Sequence, residues 1–179
     1  MSTVRWHVTM SLDGFIAGAG DSMAWAFDYD DRSPWVDELI AATGAILAGR
    51  RWHDVATERY DGRRGIYGGA WDGPVMVLTH RPTPPPEDTG ISFVTDGIRD
   101  AVAATRAAAG GKDIGVFGAD VARQCLAAGL LEEIVVHVAP VLLGDGVRFF
   151  DAPGGEPVRL ERTDARTSGQ LTDLRFRVT

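Results

Sequence analysis

Apolar and polar residues alternate at the start of the chain. Val4, Trp6, Val8 and Met10 share one side of a two-residue period, and Arg5, His7 and Thr9 take the other. This predicts a strand over residues 4–10. A glycine-spotted loop follows through Asp30. Ser33-Pro34 then reads as a helix start, a capping hydroxyl followed by proline at the first helical position. Val36, Leu39 and Ile40 fall on the inward side of that helix, and Gly44 is its expected stop.

Residues 45–48, 75–78, 91–94 and 114–117 are short apolar runs, the pattern of strands buried on both faces. Gly49-Arg50-Arg51 opens a turn after the first of them, and residues 60–73, rich in glycine and arginine, read as a surface loop. Residues 82–86 exclude regular structure, since four of the five are proline. Asp96 leads an alanine-rich helix ending at Gly110-Gly111, and Gly118-Ala119-Asp120 starts another ending at Gly129. Residues 134–143 form a β-branched strand that Pro140 interrupts, and residues 158–163 and 171–178 pair antiparallel around Ser168-Gly169. Strands alternating with helices predict an α/β fold in three layers. A mostly parallel sheet is covered on both faces and carries an antiparallel C-terminal hairpin.

Length adds that residues 1–179 fit one domain, with no linker or internal repeat. Asp and Glu outnumber Lys and Arg by 25 to 18, a net charge of −7 that argues against nucleic-acid and membrane partners. Lys112 is the only lysine among the 18 cations. The sole cysteine, Cys125, forms no internal bridge, which agrees with a reducing cytosol. The N-terminus lacks signal-peptide regions and no apolar run reaches spanning length, so the expected location is cytoplasmic.

Candidate chemistry gathers at three strand ends: Gly49-Arg50-Arg51, Thr79-His80-Arg81 and Gly118-Ala119-Asp120-Val121. Ligands of open α/β sheets bind beyond the carboxyl ends of the strands, where glycine lets backbone approach a phosphate and a helix N-terminus favours negative charge. Two arginine-bearing turns and one helix N-terminus suit a dinucleotide with an extra phosphate. Solvated surface arginines are the plainer reading of the same residues.

Two histidines interrupt apolar strands, His7 in the first and His137 in Val135-Val136-His137-Val138-Ala139. They are candidate acids for a reaction that needs a proton, or else core histidines bonded to Thr9 or to each other. Asp13 is a third candidate acid, though Asp-Gly after a strand is ordinary turn chemistry. Trp25 and Trp71, on glycine-bearing loops, are candidates to stack on a flat substrate, with Asp37 as a further substrate contact. None of the four histidines shows zinc-site spacing, so no metal is expected.

Met10-Ser11-Leu12-Asp13-Gly14-Phe15-Ile16-Ala17 resembles the opening motif of the dihydrofolate reductase superfamily, especially its riboflavin-pathway reductase branch. Leu47-Ala48-Gly49-Arg50-Arg51 resembles its Gly-Arg turn. VFGADVARQCLAAGLLEEIVVHVAPVLLGDGVRFFD, from Val116 to Asp151, resembles its long C-terminal signature. The resemblance implies an eight- or nine-stranded sheet, NADPH as cofactor and a homodimer formed through residues 140–150 and the C-terminal hairpin. It implies that Ile16 and Ala17 lie beside the nicotinamide and that Trp25 belongs to a loop closing over it. Gly49, Arg50, Arg51 and Trp52, with Leu78, Thr79, His80 and Arg81, would hold the ribose phosphate. Phe117, Gly118, Ala119, Asp120, Val121 and Ala122 would take the pyrophosphate.

The chain departs from that pattern in three places. Dihydrofolate reductases carry a carboxylate at the start of the first helix where Ser33 stands here, with Asp37 one turn on. The riboflavin-pathway branch has lysine on its first strand where this chain has His7. The usual Gly-Gly before the cofactor helix reads Phe117-Gly118. These departures argue against folate reduction and leave three functions open: NADPH-dependent reduction of another small planar substrate, a non-catalytic nucleotide sensor on the same scaffold, or a flavin-using oxidoreductase.

Overall fold

Strand β1 (Val4–Ser11) carries the alternating pattern into the centre of the sheet, with Val4 and Trp6 buried on one face. The computed structural model describes residues 2–29, 33–83 and 89–179. After β1 come β2 (Phe15–Ala17), helix α1 (Pro34–Ala42), β3 (Thr43–Gly49), α2 (Arg50–Arg59), β4 (Val75–Leu78) and β5 (Ile91–Val94). The chain continues through α3 (Ile98–Ala108), β6 (Asp113–Phe117), α4 (Ala119–Ala127), β7 (Glu133–Ala139), β8 (Val147–Arg148), β9 (Leu160–Ser168) and β10 (Leu171–Val178).

Eight strands form one sheet in the order β5-β4-β3-β6-β1-β7-β10-β9. The first six run parallel, and β10 pairs antiparallel with both β7 and β9. The expected architecture is present, hairpin included. On one face, α3 and α4 pack over Val4, Trp6, Leu47, Ile114 and Val116. On the other, α1 sets Trp35 and Leu39 against Val135, while Ile66 and Trp71 from the 62–71 segment cover Ile46, Val75 and Val77. The second face also carries His7, His137 and Asp173, because register aligns Thr9 with His137 and His137 with Asp173.

Several elements differ from the expectation, each for a local reason. Helix α2 occupies residues read as the opening of a turn. Of its residues only Ala56 is buried, so its polar sequence shows no apolar face. Gly44 does not stop α1, since β3 begins directly at Thr43. A Cβ on Gly44 would lie 2.2 Å from the Ala109 carbonyl oxygen, so glycine there lets β3 pass the end of α3. Helix α3 is capped by Gly97 rather than Asp96. Strand β7 ends at Ala139, just before Pro140. Of the proline tract, Pro82 and Thr83 lack regular structure, and residues 84–86 lie outside the described residues. Strands β2 and β8 form a short antiparallel ribbon that the pattern does not announce. A Cβ on Gly146 would sit 2.0 Å from the Ala17 carbonyl, so glycine there keeps the ribbon closed.

Candidate active site

His7 and His137 project from neighbouring strands onto the same face, and their Nε2 atoms lie 2.7 Å apart. His7 Nδ1 is 3.0 Å from the Tyr67 hydroxyl, and His137 Nδ1 is 2.6 Å from Asp173 Oδ1. Ser168 donates to Asp173 Oδ2 at 2.6 Å, and the Ser33 hydroxyl also bonds this carboxylate. The result is a continuous line of polar groups, Tyr67–His7–His137–Asp173, drawn from four parts of the chain. His137 and Asp173 are buried, whereas His7 and Tyr67 are half-buried.

Burial favours the neutral form of His7, and the neighbouring His137, Arg5 and Arg175 add to that. The His7 pKa is held well below the usual histidine value despite the opposing pull of Asp173. Burial alone would raise the Asp173 carboxyl. Hydrogen bonds from His137, Ser168 and Ser33 outweigh it and hold the group at about 2. Burial pushes the Tyr67 phenol upward, so it stays protonated near neutral pH. Asp173 is therefore an anion at the inner end of a line made by two imidazole rings and a phenol.

The carboxyl edge of the sheet supplies a second set of groups. Helices α2, α3 and α4 begin at Gly49, Gly97 and Gly118, each without a side-chain cap, whereas α1 is capped by Ser33. Uncapped helices leave their first N–H groups free for an anion. Gly118 adopts φ +103°, and a Cβ there would stand 3.7 Å from the Gly49 nitrogen and from Trp52 Cβ. The Gly49 and Gly118 turns thus meet through backbone. Edge-to-face contacts run from Trp52 to Phe117 at 5.2 Å and from Phe117 to Tyr67 at 5.8 Å, joining this edge to the polar line.

Side chains at the edge do more bracing than the sequence suggests. Arg50 donates to Asp54 and to the Arg81 carbonyl, which ties the β3 and β4 turns together. Arg51 is exposed and paired with Asp21 at 2.6 Å. His80 and Arg81 are exposed, and Thr79 Oγ1 accepts the Arg81 N–H. Leu78, Val121 and Ala122 are core residues. The Ala122 amide already donates to Gly118 within α4, leaving Ala119, Asp120 and Val121 as the donors there. The Asp120 side chain turns to Arg123 and Gln124. Ile16 and Ala17 are buried in the β2–β8 ribbon.

Two expected roles change. Asp13 accepts from Ser11 Oγ and from the Leu143 and Gly144 amides, which holds its carboxyl at about 2. It is a clamp between two loops and cannot act as an acid near neutral pH. Trp71 is 7% exposed and donates its indole N–H to the Thr43 carbonyl, so it is a core anchor rather than a lid. Asp37 is exposed on α1. Trp25 is half-buried with an indole nitrogen that has no partner among the described residues, which leaves it available to a ligand.

Tyr67, Asp173 and Ser168 were not anticipated. Tyr67 hides in a glycine- and arginine-rich stretch, and Asp173 breaks the apolar pattern of β10 only as other polar residues of that hairpin do. Burial of Asp173 and its register opposite His137 emerge only from the folded sheet.

The sheet order and the helices around it define a dihydrofolate reductase-like fold. A family model described as the RibD C-terminal domain matches residues 2–172, and the chain belongs to that family. Among solved structures, a Shewanella sp. PV-4 protein assigned to riboflavin biosynthesis is similar at 21% identity and TM-score 0.81, covering 100% of this chain and 99% of the other. Acinetobacter baumannii RibD is similar at 21% identity and TM-score 0.68, where all of this chain spans 58% of that one. A pyrimidine reductase-like protein of Corynebacterium diphtheriae is 17% identical, with TM-score 0.67 and coverage of 99% and 92%. No curated protein matches the sequence.

Proposed function

We propose that the protein is an NADPH-dependent reductase acting on a small, planar substrate with a polarised C=N, C=C or C=O bond. The observation that carries this reading is the pair of glycine-started, uncapped helices α2 and α4 meeting at the carboxyl edge. An aromatic path links that edge to the His7–His137 pair, and membership of the RibD C-terminal family supports the same assignment.

The residues fit the cofactor. Amides of Ala119, Asp120 and Val121 would hold the pyrophosphate, while Arg51 and the exposed His80 and Arg81 would meet the ribose phosphate. Ile16 and Ala17 would flank the nicotinamide. When bound, NADPH supplies a hydride. This chain's own part is to hold donor and acceptor close, to exclude water with the Trp25 loop and to move a proton along the buried line. Asp173, bonded to Ser33, puts a carboxylate at the start of the first helix from the last strand instead of from the helix itself. His7 and the changed carboxylate argue for a substrate other than dihydrofolate or the ribosylated pyrimidine of the riboflavin pathway.

Titration with NADPH and NADH, followed by tryptophan quenching, tests the reading. Each charge-assisted hydrogen bond to the extra phosphate is worth about 1.5–3 kcal/mol, so NADPH should bind at least tenfold more tightly. Equal, weak binding of both would refute it. We also propose a homodimer. Leu142, Phe150, Val158 and Leu160 are exposed apolar residues in or beside the two segments assigned to its interface. Light scattering at the mass of one chain would remove that part.

A further inference from the structure

Both nitrogens of His7 and both of His137 already have partners, so neither ring can offer an N–H to a substrate without breaking a contact. The line nevertheless has two self-consistent settings. With both rings neutral, Asp173 fixes a hydrogen on His137 Nδ1. Nε2 of His137 then accepts from His7 Nε2–H, and His7 Nδ1 accepts the Tyr67 hydroxyl hydrogen. One added proton reverses every bond beyond Asp173. His137 now donates from both nitrogens, the hydrogen of His7 moves to Nδ1, and the Tyr67 oxygen accepts it. The phenolic hydrogen then turns away from His7, on the side where the buried Thr43 hydroxyl also contacts the Tyr67 oxygen.

Tyr67 is singled out by its backbone as well. At φ +52° it occupies a left-handed conformation that bulky L-residues rarely adopt, and such outliers concentrate where a side chain must be held in place. It is half-buried, and its ring meets both His7 and Phe117.

We propose that Tyr67 is the group that hands the proton to the substrate, with His7 and His137 as a two-position relay behind it and Asp173 as the fixed counter-charge. The proposal rests on the reductase reading and narrows the substrate to one whose heteroatom is protonated, a C=N or C=O compound. Carbon takes a hydride while nitrogen or oxygen takes the Tyr67 phenolic hydrogen. Tyr67 regains a proton from His7 Nδ1–H, His7 Nε2 regains one from His137 Nε2–H, and His137 ends neutral. The substrate has gained one hydride and one proton, and the relay has lost one proton that solvent restores.

The charged groups around the two rings are unevenly placed. His7 faces the Arg5 and Arg175 guanidiniums, His137, Asp173 and the Tyr67 phenol. Arg5 is paired with Asp113 and Glu133, and Arg175 with Glu38, so both cations are partly compensated. Asp173 touches His137 and not His7.

The test reads the relay without turnover. In ¹⁵N-histidine NMR spectra of the free protein, His7 should carry its hydrogen on Nε2 in the basic form and on Nδ1 in the acid form. His137 should hold a hydrogen on Nδ1 throughout. Asp173→Asn should lower the midpoint of this switch by at least one pH unit, because the imidazolium loses its counter-charge. A His7 ring that keeps one tautomer across the titration overturns the proposal, as does an unchanged midpoint in Asp173→Asn. With NADPH and the cyclic imine 2-methyl-1-pyrroline, Tyr67→Phe should reduce kcat by about 100-fold or more while NADPH affinity stays within twofold. Equal turnover in Tyr67→Phe also overturns it. A wild type that binds no NADPH refutes the reductase reading, and the tautomer titration still decides the relay.

Discussion

His137 Nδ1 lies 2.6 Å from Asp173 Oδ1, and the two residues are only 3% and 0% exposed. A carboxylate so enclosed is retained because His137, Ser168 and Ser33 all direct hydrogens at it. Asp173→Ala strips three groups, two of them buried, of their acceptor and should cost about 3 kcal/mol of stability at neutral pH. Asp173→Asn keeps the shape and part of the bonding, and should cost about half as much. Urea unfolding of the two variants measures both. An alanine variant as stable as the parent would show that the carboxylate is not held by these bonds.

Stability should fall on acidification in two stages. His7 has a folded pKa below its ordinary value of 6.5, so the unfolded chain takes up its proton first. Its contribution is complete above about pH 6.5 and is lost as pH drops through the lower folded value. Asp173 is held at about 2 against an ordinary 3.8, so its contribution is present above about pH 4 and disappears toward pH 2. Urea midpoints between pH 8 and pH 3 should therefore begin to decline before any carboxylate titrates. A plateau extending down to pH 4.5 would contradict the His7 part.

Gly118→Ala tests the meeting of the two turns. Its φ of +103° is unfavourable for alanine, costing about 1–3 kcal/mol, and the new methyl would stand between the Gly49 amide and Trp52. NADPH affinity should fall at least tenfold, measured by tryptophan quenching, while the His7–His137 tautomers remain as in the parent. Unaltered affinity would place the phosphate elsewhere.

Cys125 should be inert in the folded protein. It is buried on α4, and burial pushes its thiol up to about 12. Labelling by a disulfide reagent at pH 8 should be slow in buffer and immediate in denaturant. Rapid labelling in buffer would mean that α4 opens locally.

Much of the scaffold was legible because its central strands β3, β4, β6 and β7 are largely buried and therefore appear as apolar runs. The two histidines were visible for the opposite reason, as polar interruptions of such runs. Tyr67 and Asp173 were not visible. Their role depends on which strands become neighbours and on how a glycine-rich segment folds over the sheet, and a linear pattern records neither. Helix α2 leaves no apolar stripe in the sequence because it lies on the surface with a single buried residue. The arginines at the carboxyl edge were legible as cations. That Arg50 braces the neighbouring turn through the Arg81 carbonyl appears only in three dimensions.

The antiparallel insertion of β10 between β7 and β9 has a consequence for how the molecule comes into being. During synthesis the six parallel strands can assemble while the hairpin is still inside the ribosome, and the two imidazoles then look out over an unfilled sheet edge. Only β10 gives them their anion, so the line of polar groups is complete only once that strand has joined the sheet.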